Sequence, residues 1–295
     1  MKTRRKLCFL FLAAAFTAVV DCGMALSQDV AGPQAPVKAP QVIRIPTTSN
    51  TTADAPSIPP DEIIRRFSTQ EDEAARAIAG YVYRKSVRVE ELGSDGKAAG
   101  LAEVVVTPVI SADGVRWQRP VGEPESTLRF LTLERDDLDA LSRLPLFPFG
   151  TAQIQNYQIV YQGRQPIDEL TTYIFRVTPK QLDRERPYFD GLIWVDDHDL
   201  AIVEIYGKWV TGAGALTSGQ LPFTMFETYR QVVANKYWMP ADMRSDSAVT
   251  SKLGSAPVRL IIRWDQYTPI PSGRPAAAPA ATPPARSPAN SAPSR

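Results

Sequence analysis

Apolar and polar side chains alternate along most of the chain between residues 81 and 268. The pattern is clearest from Val258 to Trp264, where every second side chain is apolar and those between them are mostly polar. A period of two residues predicts a β-strand with one buried and one solvated face. By this criterion, strands are predicted at 81–90, 101–110, 115–119, 154–162, 168–178, 188–196, 200–209, 223–234, 237–249 and 256–268.

Two helices are predicted beside these strands. An acidic first turn at Asp61 and Glu62, followed by an apolar stripe as far as Ile78, predicts a helix that ends at Gly80. A second, short helix is predicted from about residue 134 to 143. About ten strands with few helices predict a mainly-β (α+β) fold, in which a large antiparallel sheet curls and carries a helix packed on it.

The N-terminal end has the pattern of a secretory signal peptide. A basic start precedes an uninterrupted apolar run from Leu7 to Val20. This run is shorter than the ~20 apolar residues that span a bilayer, so no transmembrane helix is expected in the mature chain. Small residues favour cleavage after Ser27, and residues 1–27 are therefore expected to be removed on export to the periplasm.

An alternative is processing at Cys22 as a lipoprotein, in which this cysteine would be acylated and would anchor the chain. Asp21 argues against that alternative, because the position before a lipoprotein cysteine normally holds a small residue. The other cysteine, Cys8, also precedes the expected cleavage point. The mature chain would therefore contain no disulfide, and its stability would come from core burial.

Proline-rich arms flank the predicted domain. Residues 28–57 and 272–295 carry few large apolar side chains and are predicted to be disordered. Residues 58–271 are predicted to form a single domain with a sizeable core. The chain has 33 Lys and Arg against 32 Asp and Glu, a formal net charge of +1. Because no broad basic field exists, no nucleic-acid partner is expected.

Three stretches resemble the bacterial LolA-like superfamily. They are TYIFRVTPK (172–180), YFDGLIWVDDHDLAIVEIYGK (188–208) and FETYRQVVANKYWMPADMRSD (226–246). The resemblance extends over roughly residues 60–270 and is strongest to a group of outer-membrane lipoprotein-sorting proteins. The superfamily includes a periplasmic lipoprotein carrier, an outer-membrane lipoprotein receptor and an envelope-stress sensor. The resemblance implies an open, incomplete barrel, with helices against a concave face and an apolar cavity that takes up acyl chains in the carriers.

Few residues are candidates for catalysis or metal binding. His198 is the only histidine and lies in the acidic sequence 196–199, which is interpreted as a tight turn. Alternate strand residues point to opposite faces and the D-x-D-x-D-G spacing is missing, so no metal site is expected. The sequence has no G-x-S-x-G elbow and no phosphate-binding loop, whereas acid–base work by a carboxylate pair stays open. The protein is therefore expected not to be an enzyme and not to require a cofactor.

Aromatic side chains are the candidate ligand-binding residues. Those on the concave face are suited to line an acyl-chain pocket, and the alternative for each is an ordinary place in the sheet core. The sequence therefore predicts a non-enzymatic periplasmic binding protein for a lipid or for the acyl chains of a lipoprotein. The alternative is an envelope module that senses stress or binds a protein partner without a lipid cargo. The candidates are Tyr157, Tyr173, Phe175, Trp194, Phe226 and Trp264, with Trp238 as a further strand aromatic.

Overall fold

The computed structural model describes residues 55–110, 116–122, 125–142, 144–215 and 221–270. All of them fall in one compact unit of the chain. The expected signal peptide, the tail and all but the last three residues of the proline-rich leader lie outside the described residues.

The helices are α1 (Pro60–Ala77) and α2 (Arg135–Ser142), with 3-10 turns at Ile78–Gly80 and Ile154–Asn156. The strands are β1 (Tyr81–Leu92), β2 (Ala98–Ile110), β3 (Arg116–Pro120), β4 (Glu125–Ser126), β5 (Tyr157–Ile167), β6 (Leu170–Pro179), β7 (Tyr188–Asp196), β8 (Ile202–Thr211), β9 (Gly214–Ala215), β10 (Met225–Val233), β11 (Tyr237–Ser251) and β12 (Gly254–Pro269).

All twelve strands belong to one sheet, in which ten follow the order β3-β2-β1-β12-β11-β10-β8-β7-β6-β5. Every pairing is antiparallel, with β4 beside β2 and β9 beside β8. The terminal strands of this order, β3 and β5, do not pair with each other, so the described part of the sheet is not closed into a barrel. The predicted fold class is confirmed: a large antiparallel sheet, an N-terminal helix and a short second helix. The two-residue strands β4 and β9 are too short for a periodic pattern to reveal them.

The largest difference from the predicted strands is at β5. The sequence predicts strands at 154–162 and 168–178, whereas β5 runs on to Ile167 and the turn falls at Asp168. A register shift between Tyr161 and Gly163 interrupts the pairing with β6, and Gly163 has a φ of 136°. Because such a bulge adds one residue to a strand, it breaks the two-residue period on which the prediction depends.

Helix α1 packs its apolar stripe on one face of the sheet, which is termed the helix face. The ring of Phe67 meets that of Phe175 in β6 at a centroid distance of 6.1 Å, and the helix also contacts β11. Strands β6 and β11 are four steps apart in the sheet order, which is about 19 Å in a flat sheet at ~4.8 Å per step. A helix is only about 10 Å across. With 18 residues α1 is about 27 Å long, so it reaches both strands by lying across the sheet.

Candidate functional site

Most of the candidate aromatic residues lie together on the helix face. The side chains of Tyr157, Tyr173, Phe175, Phe226 and Trp264 are all buried and belong to a single hydrophobic core. They come from β5, β6, β10 and β12, so one core extends from one end of the sheet order past its middle.

The part of this core beneath α1 is filled by aromatic rings. Phe149 packs edge-on against Tyr157 and Phe189, with centroid distances of 5.5 and 5.3 Å. Tyr161 packs in the same way against Phe175 at 5.5 Å. Ser57, just before α1, exchanges a 2.8 Å hydrogen bond between its Oγ and the hydroxyl of Tyr173. Side chains thus occupy the space next to the β5, β6 and β7 strands.

The remaining candidate, Trp194, lies on the opposite face of the sheet. Its neighbours Ile193 and Val195 point into the core on the helix face, and the strand alternation directs Trp194 away from it. The indole Nε1 of Trp194 donates a 3.2 Å hydrogen bond to Oε1 of Gln165. Its burial is almost complete, at 1% exposure.

A cavity of about 100 Å³ lies at the other end of the helix face, between α2 and the β1 and β12 strands. A space of ~10–15 Å³ is enough for one water, so this cavity has room for a group of several atoms. Its polar lining comes from Lys85, Ser142 and Gln118. Its apolar wall is formed by Tyr83, Leu141, Leu144, Met243, Ile262 and Trp264.

Lys85 is the charged side chain of this cavity, and it is only 4% exposed. Its Nζ lies 3.4 Å from Oγ of Ser142 and 5.7 Å from the ring centroid of Trp264. Among the described residues, no carboxylate forms an ion pair with it. Burial lowers the pKa of Lys85 to about 8, because an apolar environment disfavours the charged amine.

Residues 128–147, of which residue 143 is not described, are termed the cover segment, and their Leu141, Ser142, Leu144 and Leu146 line the cavity. Glu91 holds the start of this segment, since its carboxylate accepts the backbone N–H groups of Arg129, Phe130 and Leu131 at 2.8, 2.6 and 2.9 Å. Several leucines of the segment are only partly buried against the core. These are Leu128, Leu131, Leu133, Leu138 and Leu146.

The end of the cover segment is held by a buried ion pair. Arg230 in β10 forms this pair with Glu71 in α1, and both side chains are 1% exposed. Nη2 of Arg230 also donates a 3.2 Å hydrogen bond to the carbonyl of Leu146. One guanidinium thus connects the sheet, the helix and the cover segment.

The acidic sequence 196–199 forms the turn that the sequence predicts. Oδ2 of Asp196 accepts the backbone N–H groups of His198 at 3.2 Å and Asp199 at 2.6 Å. Trp238 donates its indole N–H to Asp199 at 2.9 Å. Ligand atoms of Asp196, His198 and Asp199 do lie within 4.8 Å of one another, because these residues occupy a turn in which strand alternation no longer separates them. Their oxygens serve the turn and the indole.

A buried carboxyl group lies on the face opposite α1. Glu204 pairs across the sheet with Tyr229 and with Trp194, and its side chain is 0% exposed. Neither carboxyl oxygen has a hydrogen-bond partner among the described residues. Burial, together with the charges of Glu227 and Asp168, raises the pKa of Glu204 to about 9.

Lys85 and Glu91 are the residues of the site that the sequence-based reasoning missed. Both are charged, yet they fall in the same two-residue register as Tyr83, Val87 and Val89, which form the apolar face of β1. A charged residue in phase with a buried apolar row is the signal by which both could have been found.

No protein family model matches the chain. No curated protein matches its sequence. Solved structures are similar to it in fold at low identity. A DUF1329 family protein from Desulfovibrio piger has 15% identity, covers 70% of this chain and 95% of its own, and gives a TM-score of 0.34.

Two further structures have a similar extent. A LolA superfamily protein from Nitrosomonas europaea has 13% identity over 68% of this chain and 94% of its own, with a TM-score of 0.29. A domain named as an outer membrane lipoprotein-sorting protein from Vibrio parahaemolyticus has 10% identity over 70% of this chain and 92% of its own, with a TM-score of 0.34. The superfamily that the sequence resembles is thus represented among these structures. In the described part of the chain, neither helix is long and apolar enough to cross a membrane.

Proposed function

We propose that this protein is a non-enzymatic periplasmic binding protein that shelters a lipid, or the acyl chain of a lipidated protein, on the helix face of its sheet. The observation that supports the proposal is the cavity beneath α2, where the buried ring of Trp264 and other apolar side chains line a space of about 100 Å³. Apolar pockets with few polar groups are typical of sites for hydrophobic ligands.

The location of this cavity favours a binding site beneath α2 over one beneath α1, although the aromatic pattern in the sequence includes residues from both regions. Beneath α1, Phe149 packs against Tyr157 and Phe175 packs against Tyr161, so a ligand there would have to displace core side chains. Beneath α2, a ligand would only have to move the cover segment. That segment offers its partly buried leucines as a replacement surface for an acyl chain.

Binding of a long chain requires the cover segment to lift from the sheet. The helix α2 is short, and of its eight residues only Asp137 and Leu141 are buried. By contrast, α1 buries five of its residues. Fewer buried contacts mean a lower free energy of local opening, so α2 opens before α1 does.

Lipid content and binding of a fluorescent fatty acid test the proposal together. The protein is purified from envelopes of cells that express the full chain, and bound lipid is identified by native mass spectrometry and extraction. Titration with the fatty acid then gives an affinity. We expect bound lipid or saturable binding. A protein that carries no lipid and leaves the fluorescence of the probe unchanged contradicts the proposal.

A pair of variants on α2 locates the site. Ser142→Phe places a ring at a residue that lines the cavity, and we expect it to weaken binding of the fluorescent fatty acid at least about tenfold by filling the space. Asp139→Phe places the same ring on an exposed residue of the same helix that is not among those lining the cavity, and it serves as the control. Equal affinities in the two variants would move the site away from this cavity.

A second candidate function is binding of an envelope protein partner, and β5 is the observation that favours it. This eleven-residue strand lies at one end of the sheet order, and among the described strands only β6 pairs with it. Its Val160 is 43% exposed. An unpaired strand edge with an exposed apolar side chain can accept a strand from a partner.

Photocrosslinking in intact cells separates the two functions. A photoreactive residue at Val160 probes the edge strand, and one at Val232 is the control, because it has a similar exposure of 45% on the inner strand β10. A single protein product from position 160 that is missing from position 232 supports the partner function. Equal products from both positions contradict it.

A further inference from the structure

The cavity beneath α2 combines an apolar wall with a buried cation, Lys85, that forms no ion pair within the described part of the chain. We propose that Lys85 binds the carboxylate of a single-chain fatty acid, with the head group in the cavity and the chain against Trp264 and the cover segment. This inference rests on the proposed function and deepens it, since it assigns a chemical class to the ligand and a residue to its recognition.

The surroundings of Lys85 differ from those of the other buried charges on the helix face. Glu71 and Arg230 pair with each other, and Glu91 accepts three backbone N–H groups. Lys85 has three N–H donors, and the partners that the described residues offer it are one hydroxyl at 3.4 Å and the face of an indole. Buried charges are normally paired, so an unpaired ammonium next to an empty space indicates a place for an anion.

The size of the cavity favours a small anionic group. A carboxylate has three heavy atoms and fits in about 100 Å³, whereas a phosphodiester carries its glycerol and second substituent with it. Ser142 and Gln118 line the same space and are able to donate further hydrogen bonds to the carboxylate oxygens. Burial lowers the pKa of the free amine to about 8, and a bound carboxylate would favour its charged form.

The test compares ligands that differ only in the head group. Decanoate, decan-1-ol and decylammonium are titrated into the delipidated protein by displacement of a fluorescent fatty acid. We expect the wild-type protein to bind decanoate at least about tenfold more tightly than decan-1-ol and to bind decylammonium most weakly. This ranking uses the wild-type chain alone, so it does not depend on how any variant folds.

Variants then assign the preference to one side chain. Lys85→Met has nearly the same length, and loss of an unpaired buried charge does not weaken the fold. We expect it to bind decanoate and decan-1-ol within about twofold of each other. Lys97→Met removes the same charge from a side chain that is 85% exposed in the β1–β2 turn, and it should retain the preference.

The outcomes separate this inference from the proposed function. Equal binding of decanoate and decan-1-ol by the wild-type protein, or a preference that survives Lys85→Met, overturns the role of Lys85 and leaves lipid binding intact. A wild-type protein that binds none of the three ligands contradicts both proposals.

Discussion

The carboxylate of Glu71 in α1 and the guanidinium of Arg230 in β10 form an ion pair that is removed from solvent, with each side chain 1% exposed. Loss of one partner leaves the other charge buried and unpaired, which typically costs about 3–5 kcal/mol. We therefore expect Arg230→Met to lower the free energy of unfolding by about that amount, as measured by chemical denaturation.

Two further variants check this explanation. The double variant Glu71→Leu with Arg230→Met removes both charges and should recover more than half of the loss, because no unpaired charge remains. Arg66→Met breaks a pair with Glu62 on the surface of α1, where Arg66 is 55% exposed, and should change the free energy of unfolding by less than about 1 kcal/mol. A double variant as unstable as the single one would refute the ion-pair explanation.

Glu91 holds the cover segment through three backbone N–H groups, and Glu91→Gln tests that contact. An amide has one accepting oxygen and presents its own N–H groups to the donors, so we expect a loss of about 2–3 kcal/mol in the free energy of unfolding. Hydrogen exchange of the amides at 129–131 should accelerate. Glu103→Gln, at a side chain that is 36% exposed, is the control and should leave that exchange unchanged.

Glu204 predicts a dependence of stability on pH. Its folded-state pKa of about 9 lies above the ordinary value of 4.5, so the folded state favours the protonated carboxyl group. As pH rises from about 4.5 towards 9, the unfolded chain ionises first, and the folded state loses stability relative to it. At pH 7 this loss is at most about 3.5 kcal/mol, because pH 7 lies about 2.5 units above the ordinary pKa and one unit corresponds to ~1.4 kcal/mol.

The variant Glu204→Gln removes the ionisation and keeps the shape of the side chain. We expect it to raise the free energy of unfolding at pH 8 and to make little difference at pH 4.5. Denaturation of both proteins across this range gives the measurement. A difference that stays constant with pH would mean that the carboxyl group of Glu204 ionises alike in the folded and unfolded chains.

Gly191 in β7 and Gly207 in β8 are cross-strand partners beneath the ring of Phe189. A Cβ atom at Gly191 would lie 2.2 Å from the carbonyl oxygen of Tyr206 and 2.6 Å from Cζ of Phe189. We expect Gly191→Ala to lower the free energy of unfolding by about 3 kcal/mol. Gly80→Ala, where a Cβ meets nothing within 4 Å, should change it by less than about 0.5 kcal/mol.

The strands could be predicted from the sequence where one face of the strand is apolar and the other is polar. In β12 the alternation from Val258 to Trp264 correctly predicts both the strand and the side chains that share its buried face. In β7 both faces carry apolar side chains, so the period alone cannot tell which face meets the helix. For this reason the sequence predicts both Trp194 and Tyr173 as ligand-binding residues, although their side chains point to opposite faces of the sheet.

The division of the helix face into a filled part and a hollow part was beyond the sequence. It depends on where α1 and the cover segment lie against the sheet, and these contacts join residues far apart in the chain, such as Phe67 and Phe175. Which residue neutralises a buried charge also depends on tertiary packing and cannot be predicted from a local sequence pattern. Glu71 and Arg230 are 159 positions apart, and no local pattern relates them.

The first and last long strands of the sheet, β1 and β12, are neighbours in the middle of the strand order. β12 alone joins the block of β1 to β4 to the block of β5 to β11. A chain that is synthesised from its N-terminus therefore cannot complete the sheet until β12, which ends at residue 269, is available. Until then, β1 at the edge of the first block and β11 at the edge of the second are unpaired on the side that β12 will occupy. Completion of the sheet therefore waits for β12, and an incomplete chain is exposed to pairing with the strands of other molecules until then.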